Sequence, residues 1–196
     1  MTASEEPHPP GPHKGWHHRG YLPHFDAGAV VQSITFRLAD SLPRRVYEDI
    51  LSSAKTDEDR FRRLDGLIDR GRGACILKLP DVAALVENAF LFFDGRRYRL
   101  LSWTIMPNHV HVMIEQIGGY PLGGVLHSWK SFTAKAINKL RGSSGAIWSP
   151  DYHDRFIRNT EHYEYACSYI EQNPVKAGLA IRAEDWRFSS AYRRSA

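Results

Sequence analysis

Two histidines separated by one apolar residue, His109 and His111, form the sharpest chemical pattern in the sequence. They lie in a run that alternates with period two, which predicts both imidazoles on one face of a β-strand together with Met113 and Glu115. Residues two apart on a strand are separated by about 6 to 7 Å at Cα, so their side chains can converge on one ion. The pair is a candidate half of a metal site, and a structural histidine pair within a sheet is the alternative.

A second candidate group lies on a helix that is predicted to begin at Asn159 or Thr160 and to run to Asn173-Pro174. Tyr169 and Asn173 are four residues apart, so they lie one above the other on the same helix face. The asparagine oxygen could bind the same metal ion that the histidines hold. Tyrosines at such spacings also commonly pack or stack, which leaves a core role open for Tyr169.

Composition bounds the class of protein. The 196 residues predict one domain, and 26 Lys and Arg against 22 Asp and Glu give a formal net charge of +4, which favours an anionic partner. Cys75 and Cys167 are too few for a disulfide framework or a four-thiolate zinc site. No apolar stretch approaches the roughly 20 residues that span a bilayer, and the N-terminus lacks the apolar core of a signal peptide. We therefore expect a cytoplasmic protein with no membrane partner.

The N-terminal half of the chain must supply part of the scaffold. Residues 1–20 are rich in Pro, Gly and His without apolar periodicity, so we expect a flexible arm there and a single catalytic domain over 21–196. A first strand is predicted over residues 30–38. The charged, weakly amphipathic stretch from about 41 to 95 predicts a helical insertion with a short strand at 74–79, and the sequence assigns this insertion no role.

The C-terminal half carries the histidine strand and its neighbours. Residues 97–106 and 110–115 are predicted to form two adjacent antiparallel strands around Pro107-Asn108. A helix over about 124–140 and a short extended segment within 148–158 follow. The pattern predicts an α+β domain with alternating strands and helices.

Several spaced motifs occur together in this chain. They are Met106-Pro107-Asn108-His109-Val110-His111, then Trp148, then Arg155-Phe156-Ile157-Arg158-Asn159, then Tyr169-Ile170, then Asn173-Pro174-Val175-Lys176-Ala177-Gly178-Leu179. In combination they resemble the REP-associated tyrosine transposases, relatives of the single-tyrosine IS200-like transposases among the His-hydrophobic-His endonucleases. The likeness extends to Arg19–Phe25 and Ile34–Leu38, so it covers about residues 19–192.

The resemblance implies a fold and a set of roles. The fold is a ferredoxin-like (RRM-like) antiparallel sheet with helices packed on one face, and the tyrosine helix lies across the sheet. His109 and His111 correspond to metal ligands and Tyr169 to the nucleophile. Asn173 falls at the position of a third ligand, to which Gln172 has a minor claim.

The resemblance also implies an activity. It is that of a metal-dependent single-stranded DNA endonuclease and strand transferase, which cleaves beside hairpins of repetitive extragenic palindromes through a 5′-phosphotyrosine intermediate. The implied cofactor is Mg²⁺, and Mn²⁺ is an alternative because Mg²⁺ prefers oxygen ligands to imidazole. The partner is single-stranded or hairpin DNA, and a monomer and a homodimer that exchanges tyrosine helices both remain open.

Candidate phosphate or base contacts follow from positive charge and aromatic character, and a structural role is open for each. They are Arg19, Tyr21, Arg37, Lys130, Lys135, Arg155 and Arg158.

Three other functions fit parts of the pattern. The first is a catalytically silent nucleic-acid-binding regulator on the same fold. The second is a metal hydrolase that takes Glu115 or Asp151 as its third ligand and works without Tyr169. The third is a replication initiator or relaxase, which usually needs further domains.

Overall fold

The computed structural model describes residues 15–18 and 23–196 of the chain. Its strands are β1 (Gly15–His18), β2 (Pro23–Asp26), β3 (Val31–Leu38), β4 (Tyr98–Ile105), β5 (His109–Gln116) and β6 (Trp148–Phe156). Its helices are α1 (Arg44–Ser53), α2 (Asp57–Ile68), α3 (Pro80–Phe92), α4 (Leu122–Arg141), α5 (Thr160–Lys176) and α6 (Ser190–Ser195). None of the helices within these described ranges is long and apolar enough to cross a membrane.

The central sheet has four antiparallel strands in the order β4-β5-β3-β6. Along the chain, the strands of this sheet follow one another as β3, β4, β5 and β6. Helix α3 lies between β3 and β4, after the insertion helices α1 and α2, and α4 lies between β5 and β6. This βαββαβ order with the third strand beside the first confirms the predicted ferredoxin-like fold. The histidine strand β5 therefore lies in the interior of the sheet.

The two faces of β5 meet different helices because its side chains alternate. Val110, Val112 and Ile114 face the main core, where Phe90 of α3 and Trp129 of α4 pack together with ring centres 4.7 Å apart. The opposite face, which carries the histidines, is covered by α5 and α2. The helices predicted to pack on one face of the sheet are thus α3 and α4. Helices α2 and α5 lie on the other face and cover the two histidines.

Helix α5 ends at Lys176, two residues beyond its predicted end at Pro174. The Asn159 side chain caps its first turn by accepting a hydrogen bond from the His162 backbone at 2.8 Å. Pro174 lacks a backbone donor, yet the next turn closes because the Ala177 amide donates to the Asn173 carbonyl at 3.0 Å. The prediction that the helix stops at Pro174 was wrong, since a proline near the last turn costs only one bond.

The insertion between β3 and β4 is largely helical, as predicted, but its short strand is absent. Residues 76–78 form a 3-10 turn after Cys75, which has a left-handed backbone with φ of 50°. The Leu77 amide donates to the Pro107 carbonyl at 3.1 Å. The apolar side chains of Ile76 and Leu77 are therefore buried beside the loop that precedes β5. Helices α1 and α2 pack through a separate small cluster of Leu42, Tyr47, Ile50 and Leu64.

The N-terminal strands form a hairpin against the sheet. Strand β1 pairs antiparallel with β2, and the Phe25 ring lies 5.0 Å from both Trp16 and Phe156 of β6. The hairpin thus includes the last part of the segment predicted as a flexible arm. Residues 1–14 of that arm, as well as Arg19 and Tyr21, lie outside the described residues.

Candidate active site

His109 and His111 lie side by side on β5, and their Nε2 atoms are 3.0 Å apart. Both side chains are almost completely buried. Burial lowers the pKa of His109 well below its ordinary value, and burial together with the Lys176 charge lowers that of His111 to about 3. Both imidazoles are therefore neutral at neutral pH, which is the form that binds a metal ion.

The outer nitrogens of the two rings have defined partners. His109 Nδ1 lies 2.8 Å from Asn108 Oδ1, and His111 Nδ1 lies 2.8 Å from the Thr35 hydroxyl. Asn108 is itself fixed, because its amide donates to the carbonyls of Ile68 and Arg72 at 3.0 Å. With each Nδ1 donating its proton outward, both Nε2 lone pairs point into the same space.

Two carboxylates from the helical insertion face the histidines. Asp65 Oδ1 lies 3.6 Å from His111 Nε2, and Asp69 Oδ1 lies 3.4 Å from His109 Nε2. One ligand atom from each of the four residues lies within 4.8 Å of all the others. This four-residue cluster has the nitrogen and oxygen donors that a divalent metal ion requires.

Neither carboxylate is satisfied by hydrogen bonds at the oxygen that faces the histidines. Asp65 Oδ1 and Asp69 Oδ1 are buried and have no hydrogen-bond partner among the described residues. Burial raises the pKa of Asp65 to about 8, with a further contribution from Asp69, and it raises the pKa of Asp69 to about 6. A divalent ion would offset both desolvation costs, so the residues present fit a metal ion.

Asn173 closes the cluster from the α5 side. Its Nδ2 lies 3.2 Å from His111 Nε2, while its buried Oδ1 has no partner in the described part of the chain. Rotation of the amide by 180° exchanges the two atoms and turns the oxygen toward His111. Asn173 is thus placed to offer an oxygen ligand.

Tyr169 lies one turn before Asn173 on the same helix face. Its hydroxyl donates a hydrogen bond to Asp65 Oδ2, and its ring centre lies 5.8 Å from that of His111. Lys176 Nζ lies 4.4 Å from the centre of the Tyr169 ring. A phenol whose proton is held by a carboxylate of the cluster can act as a nucleophile there once that proton is removed.

The structure thus brings together His109, His111, Tyr169 and Asn173, all of which were predicted. Sequence reasoning missed the two carboxylates of the insertion. Their only signal was a spacing of four residues on a predicted helix, which places them on one face among many other charges.

The acidic residues of the hydrolase alternative lie elsewhere. Glu115 accepts a hydrogen bond from the Arg99 guanidinium at 2.8 Å, and Asp151 accepts one from the Tyr47 hydroxyl at 3.1 Å. Neither belongs to the four-residue cluster.

The predicted DNA contacts fall into three groups. Arg155 and Arg158 border a cleft that aromatic rings and acidic side chains also line: Trp16, Phe25, Phe61, Phe156, Asp57, Glu58 and Asp154. Its Phe61 ring centre lies 6.4 Å from that of Tyr169, which connects the cleft to the cluster. Arg37 lies half-buried over the Tyr47 ring at 5.0 Å. Lys130 donates to the carbonyls of Ser149 and Pro150, and Lys135 is exposed on the same helix, α4, on the opposite face of the sheet.

Comparison with known proteins agrees with this architecture. The family of IS200-like transposases matches residues 89–173, which include both histidines, Tyr169 and Asn173. A REP-associated tyrosine transposase of Escherichia coli K12 is 32% identical over 100 residues, which are 50% of this chain and 57% of that protein. The match therefore spans little more than half the length of this relative.

A solved structure supports the fold. It is a REP-associated tyrosine transposase bound to a REP hairpin, and it superposes with a TM-score of 0.63 at 19% identity over 89% of this chain and 84% of that one. The predicted resemblance to this group of proteins is confirmed.

Proposed function

We propose that this chain, which resembles the IS200-like transposases and among them the REP-associated tyrosine transposases, is a metal-dependent single-stranded DNA endonuclease and strand transferase. The observation that carries the proposal is the contact between the Tyr169 hydroxyl and a carboxylate of the buried histidine and aspartate cluster. A metal ligand set and a candidate nucleophile thereby share one site. We propose residues 21–196 as the single catalytic domain.

The proposed reaction begins with Tyr169 as the nucleophile. Its phenolic oxygen attacks the scissile phosphorus, the bond from phosphorus to O3′ breaks, and the phenolic proton ends on the departing O3′. The products are a 3′-hydroxyl and a 5′-phosphotyrosine, and a 3′-hydroxyl can reverse the step to join strands. The tyrosine of one chain reaches its own histidine pair, which supports cleavage within a single protomer.

We propose Mg²⁺ as the ion, with Mn²⁺ as the alternative that accepts imidazole more readily. His109, His111 and the carboxylates of Asp65 and Asp69 would hold it, and Asn173 would add an oxygen ligand. Bound there, the ion would polarise a non-bridging phosphate oxygen and offset the charge that develops on the phosphate. The protein itself keeps the imidazoles of His109 and His111 neutral through burial and orients the Tyr169 hydroxyl through its hydrogen bond to Asp65.

The proposed substrate is hairpin DNA with a short single-stranded flank, of the repetitive extragenic palindrome type. The similarity to REP-associated transposases and the cleft beside the cluster support it. Exposed Arg155 and Arg158 can contact phosphates, while the Trp16 and Phe61 rings offer stacking surfaces to unpaired bases. Double-stranded DNA would offer neither unpaired bases nor a flexible backbone to this cleft.

The test is a covalent capture assay. End-labelled hairpin oligonucleotides are incubated with the protein and Mg²⁺ or Mn²⁺, and a denaturing gel is inspected for protein-linked DNA. We expect the band with the natural chain and with Tyr165→Phe, an exposed neighbour on α5, but not with Tyr169→Phe or His111→Ala.

Two other results of this assay would support a different function for the protein. Hairpin binding without a covalent band at any metal concentration would favour the catalytically silent regulator. Metal-dependent cleavage that survives Tyr169→Phe would instead favour a hydrolase.

A further inference from the structure

Lys176 shares one stripe of α5 with the residues of the proposed active site. It follows Tyr169 by seven residues and Asn173 by three, and these intervals place all three on one helix face. The stripe exists because the helix continues through Pro174. The Lys176 ammonium consequently lies 4.4 Å from the centre of the Tyr169 ring.

The ammonium is close to the cluster without being paired to it. Within the described residues, Lys176 has no hydrogen bond and no ion pair, and its side chain is exposed. Its charge nevertheless acts on the cluster: it opposes the rise in the pKa of Asp65 and Asp69 that burial causes, and it adds to the fall in the pKa of His111. A cation held beside a phenol, and not bound by the nearby carboxylates, is available to an anion from solution.

We propose that Lys176 is a catalytic residue that binds a non-bridging oxygen of the scissile phosphate and remains on that oxygen in the phosphotyrosine product. The proposal rests on the proposed function. During the step, the Tyr169 oxygen gains phosphorus, O3′ loses it and receives the phenolic proton, and Lys176 keeps its three protons. Negative charge grows on the non-bridging oxygens as the bonds exchange, so an ammonium there stabilises the transition state more than the bound substrate.

A purely structural role makes a different prediction. An exposed lysine that rests on a tyrosine ring contributes about 0.5–1 kcal/mol to stability. Its removal would lower the melting temperature slightly and leave the rate of the bound complex unchanged. The two roles are therefore separable by single-turnover kinetics at saturating DNA.

The experiment compares Lys176→Met, Lys176→Arg and the control Lys139→Met, which removes the same charge from an exposed position of α4 on the opposite face of the sheet. The rate of covalent adduct formation is measured under single turnover with saturating hairpin DNA and Mn²⁺. We expect Lys176→Met to slow the step by about 10- to 100-fold, since loss of one donor to a developing oxyanion has effects of this order or larger. Lys176→Arg should retain most of the rate, and Lys139→Met should retain all of it.

A sulfur substitution adds a readout that a structural role would not move. Each non-bridging oxygen of the scissile phosphate is replaced in turn by sulfur, and the two diastereomers are compared. The difference in rate between them should narrow in Lys176→Met, because the contact that distinguishes one oxygen has been removed.

The outcomes separate this inference from the proposed function. A Lys176→Met protein that reacts at the wild-type rate, or whose defect disappears at saturating DNA, overturns the role of Lys176 and leaves the nuclease assignment intact. Absence of any covalent adduct with the unaltered chain overturns both. Melting temperatures of all variants confirm that the comparison is made between folded proteins.

Discussion

The hydroxyl of Tyr169 donates a hydrogen bond to Asp65, a residue that lies 104 positions earlier in the chain. The other oxygen of the same carboxylate lies 3.6 Å from His111 Nε2. One side chain from the helical insertion thus connects the proposed nucleophile to a proposed metal ligand. The insertion is part of the site as well as a cover over the sheet.

Replacing Asp65 by Asn should weaken metal binding while preserving the shape of the site. Loss of one charged oxygen donor is expected to lower the affinity for Mn²⁺ by about 10- to 100-fold, which is the range for groups that bind or orient metal ligands. Isothermal titration with Mn²⁺ measures this. Glu58→Gln, an exposed change on the same helix, should bind as the natural chain does, and an equal affinity for Asp65→Asn would remove Asp65 from the ligand set.

Two threonines on either side of His111 provide a matched pair. Thr35 and Thr104 are its cross-strand neighbours in β3 and β4, and only Thr35 contacts the ring, at 2.8 Å. Thr35→Val should reduce metal affinity by about 10-fold or more, because it removes the group that orients the imidazole. Titration of both variants with Mn²⁺ tests this.

The Thr104 hydroxyl is buried without a hydrogen-bond partner among the described residues. Thr104→Val should leave metal affinity unchanged and raise stability by about 1 kcal/mol, since an unsatisfied hydroxyl is exchanged for a methyl group of similar shape. Urea denaturation measures the stability change. Equal loss of metal affinity in the two valine variants would mean that packing, and not the Thr35 hydrogen bond, orients His111.

Divalent metal should stabilise the folded protein. At a free ion concentration 100 times the dissociation constant, binding adds about 2.7 kcal/mol to the free energy of unfolding. For a chain of this size, that corresponds to a rise in melting temperature of about 5 to 10 °C. A thermal scan with Mn²⁺, and with EDTA as the reference, should show the rise for the natural chain and for His127→Ala on α4. His109→Ala should melt at the same temperature in both conditions.

The exposed arginines of the cleft should determine part of the salt dependence of DNA binding. Loss of one phosphate contact flattens the slope of log K against log salt by about 1. We therefore expect Arg155→Ser and Arg158→Ser each to bind hairpin DNA more weakly and with a shallower slope in fluorescence anisotropy. Lys139→Ser, an exposed change on α4, serves as the matched control. A wild-type slope in both cleft variants would mean that neither arginine contacts a phosphate.

His153 should contribute to destabilisation in acid. Its ring lies on Phe61 with centres 4.5 Å apart, and burial lowers its pKa from 6.5 to about 4. The folded state resists protonation, so this part of the stability is complete above pH 6.5 and is lost as the pH falls toward 4. His153→Phe keeps a ring on Phe61 and should reduce the loss of unfolding free energy over that window by about 1 kcal/mol or more.

Urea denaturation at several pH values measures this effect. His127→Gln, an exposed change on α4, should show the acid sensitivity of the natural chain. The same steep loss in His153→Phe would assign the effect to the other buried histidines.

Much of the sheet and of the histidine pair could be predicted because the relevant signals are local. The alternation of His109, His111 and Met113 with apolar residues predicts a strand that carries both histidines on one face, and β5 is that strand. Its burial on both faces is visible only in the structure. The spacing of Tyr169 and Asn173 likewise fixes their common direction on a helix. That the histidine pair and the pair on α5 share one site was predicted from the family resemblance alone. The spacing of residues within a strand or a helix does not give the distance between the two elements.

The carboxylates could not be predicted because their burial is tertiary. Asp65 lies in α2 and Asp69 directly follows its last residue. The segment carries charges on several sides, which in sequence is the pattern of a solvated surface. Only the packing of α2 over β5 buries Asp65 against His111. Lys176 was missed for a different reason, because Pro174 indicated a helix end two residues too early and so left Lys176 outside the helix.

The separate packing of the insertion affects how the protein would lose activity. Because α1 and α2 are joined through their own small cluster, they can open as a unit while the four-stranded sheet stays folded. Such an opening carries Asp65 and Asp69 away from the histidines, so it inactivates the site at a free-energy cost below that of global unfolding. Amide hydrogens of α2 would then exchange faster than those of β5, and the lifetime of the competent enzyme would be set by its least stable unit rather than by its sheet.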